Sequence, residues 1–456
     1  MALALATSHA AGLPAQGRVA RPVDAAMTIR AQATQARVAT GRSGDDLAQI
    51  KLPAGAYVLT VDAPGDAAGL EAPSAFAEIP ECAGRGSVTV DGDAISMPHG
   101  PLVVRLRAGA SRHIVEMPFV VTGYEQRIAC SAGVALGALE TSVDGLRVID
   151  FASPEAGGGH AVLYVPRGHD VRAPGAMLVG LHPWGGSMWT YAAMGELLRA
   201  ADASDVVLLM PGGLGNSLYT ARAEREVFRA ITAARAAVAI EPQRTSVWGA
   251  SMGGAGATTL AVHHPDAFAM VASFFGDSEY DLSTYVRSIL RSPAEAHAVN
   301  SLELAANLRH VPTRLFHGED DHVSPIAQSE RLAGELSRLG YAVTFARAPG
   351  FGHSGALAAK FIADVVREAA TARAPTHPAR VTFTSARPED ESAYGVRLTR
   401  RSAGDAFVDV EYMQGSLRVR AARNVEQLTL ARGALGAPRG CATSADSARG
   451  VSVWWD

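Results

Sequence analysis

A chain of 456 residues exceeds the usual span of one domain, and its length sets an expectation of about three. Hydrophobic residues make up 48% and charged ones 19%, enough for sizeable cores, while no run of about 18 apolar residues marks a membrane span. The formal net charge of −4 excludes the basic footprint of nucleic-acid binding, and the near-total use of Arg, with Lys only at Lys51 and Lys360, reads as coding bias rather than a phosphate-binding surface.

In chain order, Met1–Ala10 is a short apolar stretch with a Ser-x-Ala step and no preceding positive residue. Residues 1–23 are therefore read as a tail or the remnant of a secretion signal, and the protein is expected to be secreted or periplasmic. Residues 24–140 show short β-like runs between turn residues, such as Ala56–Val61 after Pro53-Ala54-Gly55, then Pro101–Leu106 and Pro118–Thr122, the pattern of a small β-sandwich. Of the three cysteines, Cys82 and Cys130 would be placed to staple this region in an exported protein, leaving Cys441 unpaired. In the cytosol all three would stay reduced.

Residues 141–372 alternate strands with helical stretches: Val206–Met210, Arg222–Val238, a strand ending near Ala250, Gly254–His263, Ile326–Leu339 and Gly355–Ala369. That order predicts an α/β domain with a doubly wound, mostly parallel sheet. The strand Thr245–Trp248 runs into Gly249-Ala250-Ser251-Met252-Gly253, the G-x-S-x-G layout of a nucleophile elbow, with Gly249 and Gly253 supplying room for a tight turn. The pentapeptide is weak by itself, so context carries the inference. Arg314–Phe316 leads into His317-Gly318-Glu319-Asp320-Asp321, and Ala342–Ala346 leads through a Gly-rich loop to His353. The order Ser, Asp, His is that of the α/β-hydrolase triad, each member falling just beyond a strand's C-terminal end.

Upstream, Met177–Leu181 enters a loop reading His182-Pro183-Trp184-Gly185-Gly186. A tetrahedral intermediate needs two fixed N–H donors. Met252 N–H suits one role; Pro183 has no N–H, which leaves Trp184, or else Gly185, for the other. These four segments together resemble the α/β-hydrolase superfamily, in its esterase, dienelactone-hydrolase and prolyl-oligopeptidase-like branch, over roughly Leu146 to Ala370. The H-G-x-x-D-x-x-V acid loop of that branch implies Asp321 rather than Asp320 as the acid, with Asp277 after the preceding strand as the alternative. The resemblance implies Ser251 as nucleophile, His353 as general base and Asp321 as its orienting partner, with no metal or organic cofactor required.

Trp184, Trp189 and Tyr191 are candidates for an apolar wall of the substrate site, and Pro211–Ser217 for its rim. Ser278–Asn307 is too short for a large cap. Its Glu279 and Asp281 are candidates for a substrate amine, though a solvated acidic loop explains them as well. His263 and His264 read as C-terminal capping residues of a helix rather than metal ligands. Beyond the linker Ala374-Pro375-Thr376-His377-Pro378, residues 378–456 alternate as a second small β domain, with Arg380–Thr384 and Leu417–Arg420 as strands; Ala393-Tyr394 and Asn424-Val425 weakly resemble β appendages of exported bacterial hydrolases. The expectation is a carboxylesterase acting on a small or polymeric ester. The rivals are a prolyl-oligopeptidase-like serine peptidase, for which the roughly 115 residues upstream are too few to build a gating propeller, and a non-catalytic binding protein on a vestigial hydrolase fold.

Overall fold

The computed structural model describes the backbone of seven N-terminal strands between residues 26 and 130, and residues 146–456 apart from 155–158, 187, 189, 192–193, 282–285, 445–446 and 448–449. The N-terminal strands are β1 (Ala26–Ala31), β2 (Arg37–Arg42), β3 (Leu47–Leu52), β4 (Gly55–Asp66), β5 (Val88–Asp91), β6 (Arg107–Val121) and β7 (Gln126–Cys130). They pair antiparallel in two ladders, ordered β2-β1-β4-β6 and β3-β7-β5. The expected strands at Ala56–Val61 and Pro118–Val121 fall within β4 and β6. The expectations for the secretion signal, for the Cys82–Cys130 staple and for Pro101–Leu106 lie outside the described residues.

The α/β region comprises β8 (Leu146–Phe151), β9 (Gly159–Tyr164), β10 (Gly175–Leu181), α1 (Gly195–Ser204), β11 (Val206–Pro211), α2 (Arg222–Ala237), β12 (Ile240–Ala250), α3 (Met252–His263), β13 (Val271–Phe274), α4 (Pro293–His297), β14 (Thr313–Gly318), α5 (Ala327–Arg338), β15 (Val343–Ala348) and α6 (Gly355–Ala369). Contacts divide the chain into two units. The first holds the N-terminal strands, β8, β9, α1, β11 and α2; the second holds β10, β12 to β15, α3 to α6 and all that follows.

In the first unit β11, β9 and β8 run antiparallel in that order, and α2 packs on all three. It buries Ala223, Val227, Ala230, Ile231 and Ala234, one stripe at helical spacing. In the second unit five parallel strands stand in the order β15-β14-β13-β12-β10. Every residue of β10 and β13 is buried, so these strands read as unbroken apolar runs, as a parallel sheet covered on both faces requires. Helix α3 is buried along its whole length, which accounts for its Gly, Ala and Thr content where an exposed helix would carry charge.

The C-terminal strands are β16 (Arg380–Ser385), β17 (Ser392–Ala393), β18 (Val396–Arg400), β19 (Ala406–Met413), β20 (Ser416–Arg423), β21 (Val425–Leu430) and β22 (Ser452–Trp455). They form two small sheets, β16-β19-β20 and β17-β18-β21-β22, antiparallel except for the β21–β22 pair. The sheets share a core that includes Val381, Phe383, Leu398, Val408, Val410, Leu417 and Leu428. Tyr394 and Asn424 both turn the chain at positive φ, and the Asn424 amide donates to the Ser402 carbonyl at 2.9 Å while its oxygen accepts from the Ser402 N–H at 2.9 Å.

The same unit contains a polar junction between these sheets and the parallel-sheet elements. Asn307 donates to the Val262 and Thr384 carbonyls at 2.7 and 2.8 Å and accepts from Thr384 N–H at 2.6 Å. The Tyr394 hydroxyl donates to the Pro265 carbonyl at 2.7 Å, and Thr382 to that of Ala306 at 2.8 Å. His263, expected to cap its helix, does something else: its buried ring meets Asp390 at 2.7 Å, and Asp390 in turn accepts from Arg387. The cap position belongs to His264, whose N–H reaches the Leu260 carbonyl.

Candidate active site

Strand β12 ends at Ala250 and α3 begins at Met252, so Ser251 alone makes the turn. Its backbone sits at φ 56°, ψ −122°, a region that non-glycine residues seldom enter and that persists only where neighbours enforce it. They do so through hydrogen bonds: Ser251 N–H donates to the Phe274 carbonyl and Ala255 N–H to that of Ser251, both at 2.9 Å. A Cβ at Gly249 would overlap the Gly253 carbonyl and lie 2.7 Å from the Leu181 carbonyl oxygen, so the crossing of strand and helix leaves space for hydrogen only.

His353 lies two residues before α6, whose N-cap Ser354 accepts from Ala356 N–H at 3.2 Å. The histidine loop and the acid loop after β14 are joined by backbone bonds, Asp320 N–H to the Phe351 carbonyl at 3.0 Å and Glu319 N–H to that of Ala348 at 3.1 Å. The two loops bring the sequence-predicted residues together. His353 Nε2 stands 2.8 Å from Ser251 Oγ, and His353 Nδ1 2.8 Å from Asp321 Oδ2. With the ring proton on Nδ1, facing the carboxylate, Nε2 is left as the acceptor for the serine hydroxyl. The Phe275 ring meets the imidazole edge-on, centroids 4.6 Å apart.

Asp321 is 6% exposed. Burial opposes its charge, yet hydrogen bonds from His317 and His353, the nearby imidazole charge and the Ser324 N–H hold the carboxyl well below the usual carboxylate range. Oδ1 accepts from the N–H groups of Val323 and Ser324, each at 2.9 Å. Asp277, the alternative acid, instead accepts from the Ser324 hydroxyl at 2.6 Å. Sequence reasoning missed His317 as a partner of the acid; its i, i+4 place in the acid-loop pattern was the available signal.

Met252, the proposed first oxyanion donor, is the first residue of α3, where backbone amides have no acceptor within the helix and the helix dipole favours negative charge. In the first unit, the buried His182 ring stands 3.0 Å from the Gly212 carbonyl oxygen and 2.8 Å from that of Pro183, and burial pushes its pKa down. Gly185 N–H donates to Asn216 Oδ1 at 2.6 Å, which commits the alternative second donor and gives the Pro211–Ser217 segment a structural task. Trp184 is 39% exposed and Tyr191 3%; Trp189 lies outside the described residues. Glu279, a candidate for a substrate amine, is ion-paired with Arg331 at 2.5 Å.

A mostly parallel α/β sheet bearing a Ser–His–Asp chain at its strand ends defines an α/β-hydrolase fold and a serine hydrolase. Residues 216–370, which contain all three side chains, match the model of the prolyl oligopeptidase family. No curated protein matches the sequence. Among solved structures, the fluorophosphonate-binding serine hydrolase FphF of Staphylococcus aureus is similar at 16% identity, covering 50% of this chain and 98% of its own, with a TM-score of 0.44. An S-formylglutathione hydrolase from Agrobacterium tumefaciens is similar at 17% identity, 51% and 97% coverage and a TM-score of 0.44. The carboxylesterase EstE1, cloned from a metagenomic library, is similar at 17% identity, 51% and 92% coverage and a TM-score of 0.42.

Proposed function

We propose that this serine hydrolase cleaves carboxylic esters through an acyl-enzyme on Ser251. The observation that supports it most directly is the unbroken chain from Ser251 Oγ through His353 to Asp321, with both links at 2.8 Å. In this reading His353 Nε2 takes the hydroxyl proton as Oγ attacks the ester carbonyl, and the tetrahedral oxyanion is held by the Met252 amide at the start of α3. Asp321 stabilises the imidazolium. The ring then returns its proton to the leaving alkoxide, the C–O bond breaks, and a water activated by the same nitrogen releases the acid. None of these steps calls on a metal or organic cofactor. The β regions support a substrate longer than a simple ester, by analogy alone.

A second reading, a peptidase, is favoured by the family match over residues 216–370. The ion pair that occupies Glu279 removes one anchor such an enzyme would use for a substrate ammonium. Hydrolysis of p-nitrophenyl esters and aminoacyl anilides by wild type and Ser251→Ala tests both. Ester turnover that falls on the order of 10⁶-fold in kcat in the variant is expected. Serine-dependent turnover of anilides alone would transfer the assignment to the peptidase, and ester turnover untouched by Ser251→Ala would refute the nucleophile.

A further inference from the structure

We propose that His317 is a positioning residue for the hydrolysis, a second imidazole that locks the Asp321 carboxylate in the orientation His353 needs; the proposal rests on the esterase reading above. His317 stands one residue from the end of β14 and is 0% exposed. Its Nε2 lies 2.8 Å from the Ser324 carbonyl oxygen and 3.4 Å from Asp321 Oδ2, and its Nδ1 2.7 Å from Ser329 Oγ. A carbonyl oxygen can only accept, so Nε2 carries a proton, while Nδ1 shares a hydrogen bond with the Ser329 hydroxyl. The ring is thereby fixed from both ends.

The same Nε2, bonded to the Ser324 carbonyl, also lies 3.4 Å from the carboxylate oxygen that meets His353. Ser324 is the hub of the arrangement. Its N–H holds Asp321 Oδ1, its carbonyl accepts from His317 and its hydroxyl donates to Asp277, so one imidazole closes the whole turn from β14 to residue 324. Asp321 thus has partners on both oxygens: the N–H groups of Val323 and Ser324 on one and the His353 ring on the other, with His317 Nε2 packed 3.4 Å from that second oxygen. The neighbouring charged groups Glu319, Asp320 and His322 are exposed. Without His317, the side chain of Asp321 would keep its backbone donors but lose the contact that stops Oδ2 from swinging off the imidazole.

A residue that only packed β14 would affect folding and leave the chemistry of folded molecules alone. The test therefore measures kcat, KM and the pH profile of p-nitrophenyl ester hydrolysis on folded wild type, His317→Leu, His317→Gln and Ser329→Ala. Loss of the Ser324 hydrogen bond and of the contact with Oδ2 predicts that His317→Leu loses roughly ten- to a hundredfold in kcat with KM within about twofold. Its acid limb moves to lower pH, because a carboxylate that swings off the ring stabilises the His353 imidazolium less. His317→Gln, whose amide N–H replaces Nε2–H, recovers most of the loss. If His317→Leu does not fold, Ser329→Ala decides: freeing Nδ1 releases the ring, and kcat is expected to fall severalfold. Wild-type kcat in a folded His317→Leu or in Ser329→Ala, or equal losses in the Leu and Gln variants with an unmoved pH profile, would overturn the proposal. Labelling of wild-type Ser251 by a fluorophosphonate probe keeps the two readings apart, since its failure refutes the nucleophile and the positioning role together, whereas labelled wild type with unaffected His317 variants refutes only the latter.

Discussion

Removal of the Asp390 carboxylate tests how firmly the C-terminal sheets are bound to the parallel-sheet elements. The side chains of His263 and Asp390 are 0% and 1% exposed, and Arg387 donates to the same carboxylate. Burial opposes the charge on Asp390, but the hydrogen bonds from His263 and Arg387 lower its pKa from 3.8 to about 2. The folded value lies below the unfolded one, so the stabilisation is present above pH 3.8 and is lost as pH falls toward 2. That depression is equivalent to about 2 kcal/mol. Asp390→Ala also takes the shared carboxylate from His263 and Arg387, which raises the expected cost to about 3–5 kcal/mol. For a folded unit of this size such a loss lowers Tm by roughly 6–20 °C. The assay is thermal unfolding of the full chain at pH 7, with the triple variant His263→Leu/Arg387→Met/Asp390→Leu as comparison; apolar replacement of the whole cluster should recover much of the loss, because none of its buried charges remains. A Tm for Asp390→Ala within about 2 °C of wild type, or a triple variant less stable than the single one, would refute the reasoning.

Gly249→Ala forces a methyl group into the Gly253 carbonyl, and the expected outcome is destabilisation of about 1–3 kcal/mol together with a loss of roughly a hundredfold in ester turnover as Ser251 shifts; wild-type turnover by a folded variant would contradict it. His297 lies between Asp405 and Glu303, and the hydrogen bond it donates to Asp405 leads in raising its pKa above 6.5, against some burial and with help from Glu303. Its contribution, under about 1 kcal/mol at this exposed place, is complete below pH 6.5 and vanishes as pH rises through the folded value. Wild type should therefore be more stable than His297→Gln at pH 6 and level with it at pH 9, as read by Tm; an equal gap at both pH values would count against the ion pair.

The candidate triad was legible because each member follows an apolar strand and sits in a short motif of its own. Helices α2, α5 and α6 were legible to within a residue at each end because their apolar stripes have helical spacing. Helix α3 begins two residues earlier than the pattern suggested, since Met252 and Gly253 enter the helix directly from the positive φ of Ser251. The His263–Asp390 pair spans 127 residues of sequence, and the bond from Ser324 to Asp277 spans 47. Such contacts leave no periodic trace in the chain. A buried His near a helix end looks like a cap until the fold supplies a carboxylate from elsewhere, and His317 looked like part of a loop motif until its neighbours fixed its proton.

The backbone of Ser251 also restricts which nucleophiles this elbow can carry. Threonine and cysteine offer comparable attack chemistry in other settings, but at φ 56°, where any Cβ is already strained, a β-branched side chain adds a second γ substituent against its own peptide and an unbranched one adds none. Exchange of oxygen for sulfur is thus sterically open at this position and exchange for a secondary alcohol is closed, so the elbow's handedness, before any question of reactivity, narrows the routes by which the enzyme's chemistry can change.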